Sequence, residues 1–146
     1  MLNLELEDMP AQIANDAGTP SCKWVNCETK LKDIDTSKLH YVKVPENHVV
    51  IDLDIKDEEG NKALALNLAS ARKFPKTYAE LSKSGNGIHL HYIYVGDTDM
   101  LAAKIDEDIE VKVYRGDASL RRMLSKCINV GIATISSGLP FKEKGD

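Results

Sequence analysis

Two aspartates one residue apart end an apolar run, His48-Val-Val-Ile-Asp-Leu-Asp-Ile55. Read as a strand, it points Val49, Ile51, Leu53 and Ile55 one way and Val50, Asp52 and Asp54 the other. Alternate Cα atoms of a strand are about 7 Å apart, so the two carboxylates stand side by side. In an apolar strand they repel each other and resist desolvation, and a divalent cation removes both costs. Mg2+ suits the pair, because it takes one or two protein carboxylates and keeps its other positions for water and phosphate oxygens. The plainer reading is an edge strand showing two acids to water. Glu110 adds a third acid, on an alternating stretch whose Asp108, Glu110, Lys112 and Tyr114 share one face opposite Ile109, Val111 and Val113. Three acids on the polar face of one sheet suit a two-metal site that activates a hydroxyl and steadies a leaving pyrophosphate. Lys112, beside Glu110, is a candidate phosphate contact or a surface lysine paired with acids.

Between two further strand-like stretches lies Ser84-Gly-Asn-Gly87, followed by Ile88-His-Leu-His-Tyr92. Gly85 and Gly87 free the backbone for positive φ and for close approach to a ligand. Successive N–H groups in such a turn form an anion nest that suits a triphosphate, although an ordinary hairpin turn has the same composition. His89 and His91 share a face opposite Ile88, Leu90 and Tyr92.

The elements that must position these residues belong to a chain of 146 residues, 42% hydrophobic and 29% charged. That describes one domain over 1–146, with 1–46 poorly defined and 47–146 as its core. A net charge of −4 with 19 basic residues excludes a basic coat for DNA, so any nucleic-acid contact needs a local patch. Three cysteines without a repeated spacing suggest a reducing, cytoplasmic setting. No run approaches the ~20 apolar residues of a membrane span, and the acidic opening residues do not read as a signal peptide.

Along the chain, Asp8 caps a predicted helix through Ala17, ended by Gly18, and His40–Val44 reads as a short strand. After the strand at 48–55, Leu64, Leu68 and Ala71 mark one face of a helix over 62–73. Residues 77–83 and 88–95 form a hairpin, and 108–114 another strand. Leu120, Met123, Leu124 and Cys127 carry helical spacing, and 130–135 a last strand. The sum is an α+β domain: an antiparallel-rich mixed sheet with helices packed on one face, apolar there and polar on the other. Cys22 and Cys27, with His40 or His48, have a loose spacing for zinc, and buried or idle thiols are the simpler reading. Trp24 is a core anchor or a stacking platform for a base. Arg115, Arg121 and Arg122 are candidates for template or primer phosphates, or solvated arginines flanking the helix.

In order and type, VVIDLDI, SGNGIHLHY and IEVKVY resemble the three motifs of the archaeo-eukaryotic primase superfamily, nearest its primase-polymerase domain of phages and plasmids. The likeness runs from His48 to Tyr114. It implies an RRM-like catalytic sheet and DNA primase or polymerase activity in replication. By that resemblance Asp52, Asp54 and Glu110 hold two Mg2+ or Mn2+ ions. By it Ser84, Gly85, Gly87 and His89 bind the nucleoside triphosphate, and Lys112 is added as a candidate phosphate contact by its place beside Glu110. Implied partners are a single-stranded or primed template and a helicase or accessory replication domain, with no membrane. The implied location is the cytoplasm of a bacterial host, for a phage- or plasmid-encoded protein. The short flanks suggest an excised domain or a small phage protein that works with a partner.

Two other readings stand beside this one. His89-Leu-His91 resembles the metal motif of rolling-circle replication nucleases, whose attacking tyrosine sits on a helix. Here Tyr92, Tyr94 and Tyr114 all fall in predicted strands, and the two aspartates are left without a use. The second is a non-catalytic module of the same sheet that binds nucleotide, single-stranded nucleic acid or a partner protein.

Overall fold

The computed structural model describes residues 6–82, 85–114, 118–122, 127–128 and 131–141, with residues 122, 127 and 128 in backbone only. Ten strands and one α-helix are formed among them. The strands are β1 (Ala11–Ile13), β2 (His40–Val42), β3 (His48–Leu53), β4 (Ala79–Leu81), β5 (Ile88–Tyr94), β6 (Lys104–Asp106), β7 (Ile109–Val113), β8 (Leu120–Arg122), β9 (Cys127–Ile128) and β10 (Ala133–Ile135). The helix α1 (Leu64–Ala71) follows β3. The class is α+β, as expected, with antiparallel-rich sheets.

β3 is the centre. Its run of valines and isoleucine favours extended backbone, and antiparallel partners flank it on both sides, β5 and β7. β4 continues beyond β5, giving the order β7-β3-β5-β4, with β6 and β9 extending the two ends. β10 runs parallel to the second half of β5, Ala133 opposite Tyr92 through Ile135 opposite Tyr94. Since α1 lies between β3 and β4, and β5 is inserted between those two strands, the unit is a split β-α-β. β1, β2 and β8 make a separate three-stranded sheet.

All six residues of β3 are buried, so neither face of the sheet is open along this strand. On one face Val49, Ile51 and Leu53 pack with Ile88, Leu90, Tyr92, Ile109 and Val111, and Leu64, Ala71 and Phe74 from the helical segment close over them. On the other, Val50 and Tyr78 join Leu6, Ala11, Leu31, Val42, Val44 and Leu120, so the N-terminal region and β8 roof part of the polar face. This corrects the expectation of one apolar and one polar face. Long-range packing adds the second core, and a pattern of alternation in one strand does not show it.

Two element assignments change. Residues 11–13 form a strand where the helix over 8–17 was expected. Helical there, the segment would offer the core little beyond alanines and Ile13. As a strand it buries Ala11 and Gln12 and pairs with β2, while Asp8 meets Lys32 at 2.8 Å instead of capping a helix. Residues 120–122 are also a strand, paired with β2 through Leu120 opposite Val42 and Tyr41 opposite Arg121. Here Leu120 is buried and Arg121 exposed, a strand's alternation. Met123 and Leu124, which supplied the helical spacing, lie outside the described residues, and 127–128 is strand. In α1, Leu68 is 43% exposed, and the residue turned fully inward is Asn67. Helices therefore do not pack as a layer; among the described residues there is one α-helix. None is long and apolar enough to cross a membrane.

Candidate functional site

Strand register assembles the site. Asp52 on β3 lies opposite Glu110 on β7 and opposite His89 on β5, and His89 in turn lies opposite Glu80 on β4. Directly opposed residues of antiparallel strands put their side chains on the same face, so Glu110, Asp52, His89 and Glu80 form one row across four strands. One step along, Lys112 and His91 flank Val50. Asp54 comes after β3 has ended, where its N–H still bonds the carbonyl of Asp108 at 2.9 Å.

Cations stand against the acids: His89 lies between Asp52 and Glu80 in the row, and Lys112 reaches Asp52 from one step along. Lys112 Nζ lies 2.9 Å from Asp52 Oδ2, and His89 Nε2 lies 3.4 Å from Asp52 Oδ1. The other ring nitrogen of His89 faces Glu80 Oε1 at 3.5 Å. Burial alone would raise the Asp52 pKa, but His89 and Lys112 outweigh it and hold the carboxyl down at about 2. Burial would likewise lower the His89 pKa, but the hydrogen bonds and charges of Asp52 and Glu80 push it up to about 9. The imidazole is therefore a fixed cation at neutral pH. Lys112 is raised as well, against its own desolvation, by Asp52.

Behind His89 the network runs into the core. His91, fully buried, meets Glu80 Oε1 through Nε2 at 3.1 Å and His48 Nε2 through Nδ1 at 2.9 Å. Tyr78 donates to Glu80 Oε2 at 2.8 Å. Burial opposes ionisation of Glu80, yet the charge of His91 and the hydrogen bonds from His89, His91 and Tyr78 hold it well below the usual carboxylate range.

The loop between β4 and β5 fits closely around Asp54. Gly85 has φ +83°, the left-handed region that favours glycine. A Cβ at Gly87 would stand 2.7 Å from Asp54 Oδ1 and 2.9 Å from Ser82 Oγ, so this glycine makes the room for the carboxylate. Ser82 Oγ accepts from Gly87 N–H at 2.9 Å. Asn67 ties the two loops of the site together. Its side chain accepts from Ile55 N–H at 2.8 Å and donates to Asn86 O at 2.9 Å. Lys62 Nζ, on the far side, lies 3.1 Å from Asp54 Oδ1.

Of the sequence-predicted residues, Asp52, Glu110, His89 and Lys112 share this face, and Asp54, Gly85 and Gly87 border it. Arg121 sits exposed on the three-stranded sheet instead. Ser84, Arg115 and the side chain of Arg122 lie outside the described residues. Cys22 is exposed and Cys27 half-buried, both as free thiols, and His40 points Nδ1 at Lys38 O, 2.7 Å away. Glu80, Lys62 and Asn67 escaped the sequence reading. Glu80 had a usable signal, an acid alternating with the apolar Ala79 and Leu81 and so on one face with Tyr78 and Ser82, whereas Lys62 and Asn67 had none.

Asp52 Oδ1 and Asp54 Oδ1 are buried and, among the described residues, meet no donor in good hydrogen-bond geometry; each instead faces a cation, His89 at 3.4 Å and Lys62 at 3.1 Å. Their oxygens, with the exposed Glu110 carboxylate, are the hard donors that Mg2+ or Mn2+ takes. Among the described residues no group of three or more His, Cys, Asp or Glu side chains converges as a metal cage. The carboxylates are engaged by Lys112, His89 and Lys62. No protein-family model matches the sequence, and no curated protein matches it.

Proposed function

We propose that the chain is a metal-dependent nucleotidyltransferase of the primase-polymerase kind, adding nucleotides from nucleoside triphosphates to a nucleic-acid strand. The observation that carries this reading is the cross-strand row that sets Asp52 between Glu110 and His89, with Asp54 just past the strand end. The order β7-β3-β5-β4, with a helix in the first crossover, supports an RRM-like catalytic sheet. Asp52, Asp54 and Glu110 would hold Mg2+ or Mn2+, which when bound neutralises charge at the transferring phosphoryl group. His89, kept cationic by two carboxylates, and Lys112 supply fixed positive charge for triphosphate oxygens. The Gly85–Gly87 turn, braced by Ser82 and Asn67, brings backbone close to them. Catalysis of this type is mostly positioning and charge neutralisation, which such a braced site provides. A single-stranded or primed template, a helicase-type partner and action in a bacterial cytoplasm belong to the same proposal.

The ion pairs favour one second reading, a nucleotide- or single-strand-binding module of the same sheet, because each candidate metal-binding aspartate already has a lysine against it. The rolling-circle nuclease is less well supported. His89 and His91 both face Glu80, but His91 is fully buried, away from any DNA.

The test is incorporation of labelled nucleotides with Mg2+ or Mn2+ on primed and unprimed templates, with Asp54→Ala alongside. Product from wild type and none from the variant is expected, and the unprimed lane reports initiation. No product, with nucleotide binding intact by calorimetry, would favour the binding module. Loss of both would sink the reading.

A further inference from the structure

We propose that Lys62 is a movable cationic partner of Asp54. It neutralises that carboxylate in the metal-free site and turns to a phosphate oxygen of the nucleotide when a divalent cation takes Asp54. The inference rests on the reading of the site as one for metal and nucleotide.

The backbone of Lys62 is held from several sides, while its side chain ends in one partly exposed ion pair. It stands on the return limb of the turn after β3, bridged to Lys56 across the limb, and the next residue, Ala63, donates to Ile55 O at 3.0 Å. Asn67, one turn into α1, bonds both the N–H and the carbonyl of Ile55, so the limb is fixed to the helix. The lysine side chain remains 38% exposed. It therefore projects from a rigid base on a flexible four-carbon stem, within reach of Asp54 at one end of its range and of solvent at the other.

Asp54 gives the amine its purpose. The carboxylate fills the room that a Cβ at Gly87 would take, its Oδ1 is buried, and Lys62 lies 3.1 Å from that oxygen. Without the amine, the half-buried Asp54 carboxylate would keep only the more distant charge of Lys112 among the described cations near it. A partly exposed pair contributes little to stability, so the role that remains is electrostatic. A divalent cation brings twice the charge to the same oxygen and displaces a monovalent one. The freed ammonium would then be available to a phosphate oxygen of the nucleotide, for which a strongly hydrated point charge is a good ligand. Lys112 holds Asp52 in the same way but from β7, one step along from the row. Lys56, across the bridge, pairs at 3.6 Å with Asp108, outside the row, and so serves as a matched control.

The roles predict effects of opposite sign. Mn2+ binding to the full chain is measured by electron paramagnetic resonance, and ATP and dATP binding in the presence of Mn2+ by calorimetry. Wild type is compared with Lys62→Met, Lys62→Arg and Lys56→Met. Lys62→Met should bind Mn2+ alone about threefold more tightly, since a competing cation is gone. It should bind nucleotide about tenfold more weakly, since a charged phosphate contact is gone. Lys62→Arg and Lys56→Met should leave both within about twofold. If wild type binds both ligands and Lys62→Met shifts them in the same direction or not at all, the inference is overturned and the site reading stands. If wild type binds neither, the site reading fails and takes the inference with it.

Discussion

Charge is handled in two ways along one face of the same sheet. At the β4 end, Glu80 is 5% exposed, sits against the fully buried His91, and has its two oxygens occupied by imidazoles and the Tyr78 hydroxyl. At the β7 end, Glu110 is exposed, while Lys112 and Lys62, both more than a third exposed, lean on the aspartates. The N-terminal region and β8 make the difference, because Leu6, Leu31, Val42 and Leu120 pack over Val50 and Tyr78. Under that roof a carboxylate must be fully hydrogen-bonded to be tolerated. At Asp54 and Glu110, which solvent reaches, a carboxylate can exchange one cation for another. The buried end therefore braces His89, and the open end is where ligands can come and go.

The sharpest way to break this comparison is to remove one acid from each end. Glu80→Ala should cost about 3–5 kcal/mol in urea unfolding, because it strands buried imidazoles without their counter-charge. A cost below about 1 kcal/mol would mean that the roofed network is not a brace. The pH dependence comes next. His89 is raised from 6.5 to about 9 in the folded protein, so its stabilisation is complete below pH 6.5 and is lost as pH rises through about 9. On the order of 2 kcal/mol is expected, discounted for the 26% of the side chain that solvent reaches. Unfolding of the metal-free protein across this range should show the decline, and His89→Gln should flatten it. Asp52 works the other way, its contribution being present above pH 3.8 and lost as pH falls through about 2.

A smaller loss is expected at Gly87. The added methyl of Gly87→Ala would meet Asp54 Oδ1 and Ser82 Oγ below 3.0 Å and the carbonyl of Leu53 at 3.1 Å. Thermal unfolding should register about 1–3 kcal/mol, and Mn2+ binding should weaken as Asp54 is pushed aside. The smallest stability change belongs to the open end. Glu110→Gln should stay within about 0.5 kcal/mol of wild type in the same assay while Mn2+ affinity falls. A stability loss comparable to that of Glu80→Ala would erase the distinction between the two ends.

Much of the site was legible because strand alternation is a strict local rule. Once 48–53, 88–94 and 109–113 are strands, Asp52, His89 and Glu110 each face opposite their apolar neighbours, whatever the rest of the chain does. The hairpin between β4 and β5 was legible from Gly85 and Gly87 for the same reason, since turn chemistry is local. The errors fell where local preference is weak. Residues 11–13 and 120–122 are three-residue strands that exist because β2 offers each of them an edge, and a short segment's spacing cannot compete with that tertiary demand.

The sequence by itself determined which residues face together within a strand and where the chain turns, because both depend on neighbours one or two positions away. Only the tertiary structure decided which strands lie side by side, and hence that Glu80 stands beside His89 and Lys62 beside Asp54. It also decided which end of the polar face is roofed. Those pairings join residues 8 to 58 positions apart, from Lys62 and Asp54 to Asp52 and Glu110. They are selected by burial of two cores at once, a property of the whole chain that no window of its sequence contains.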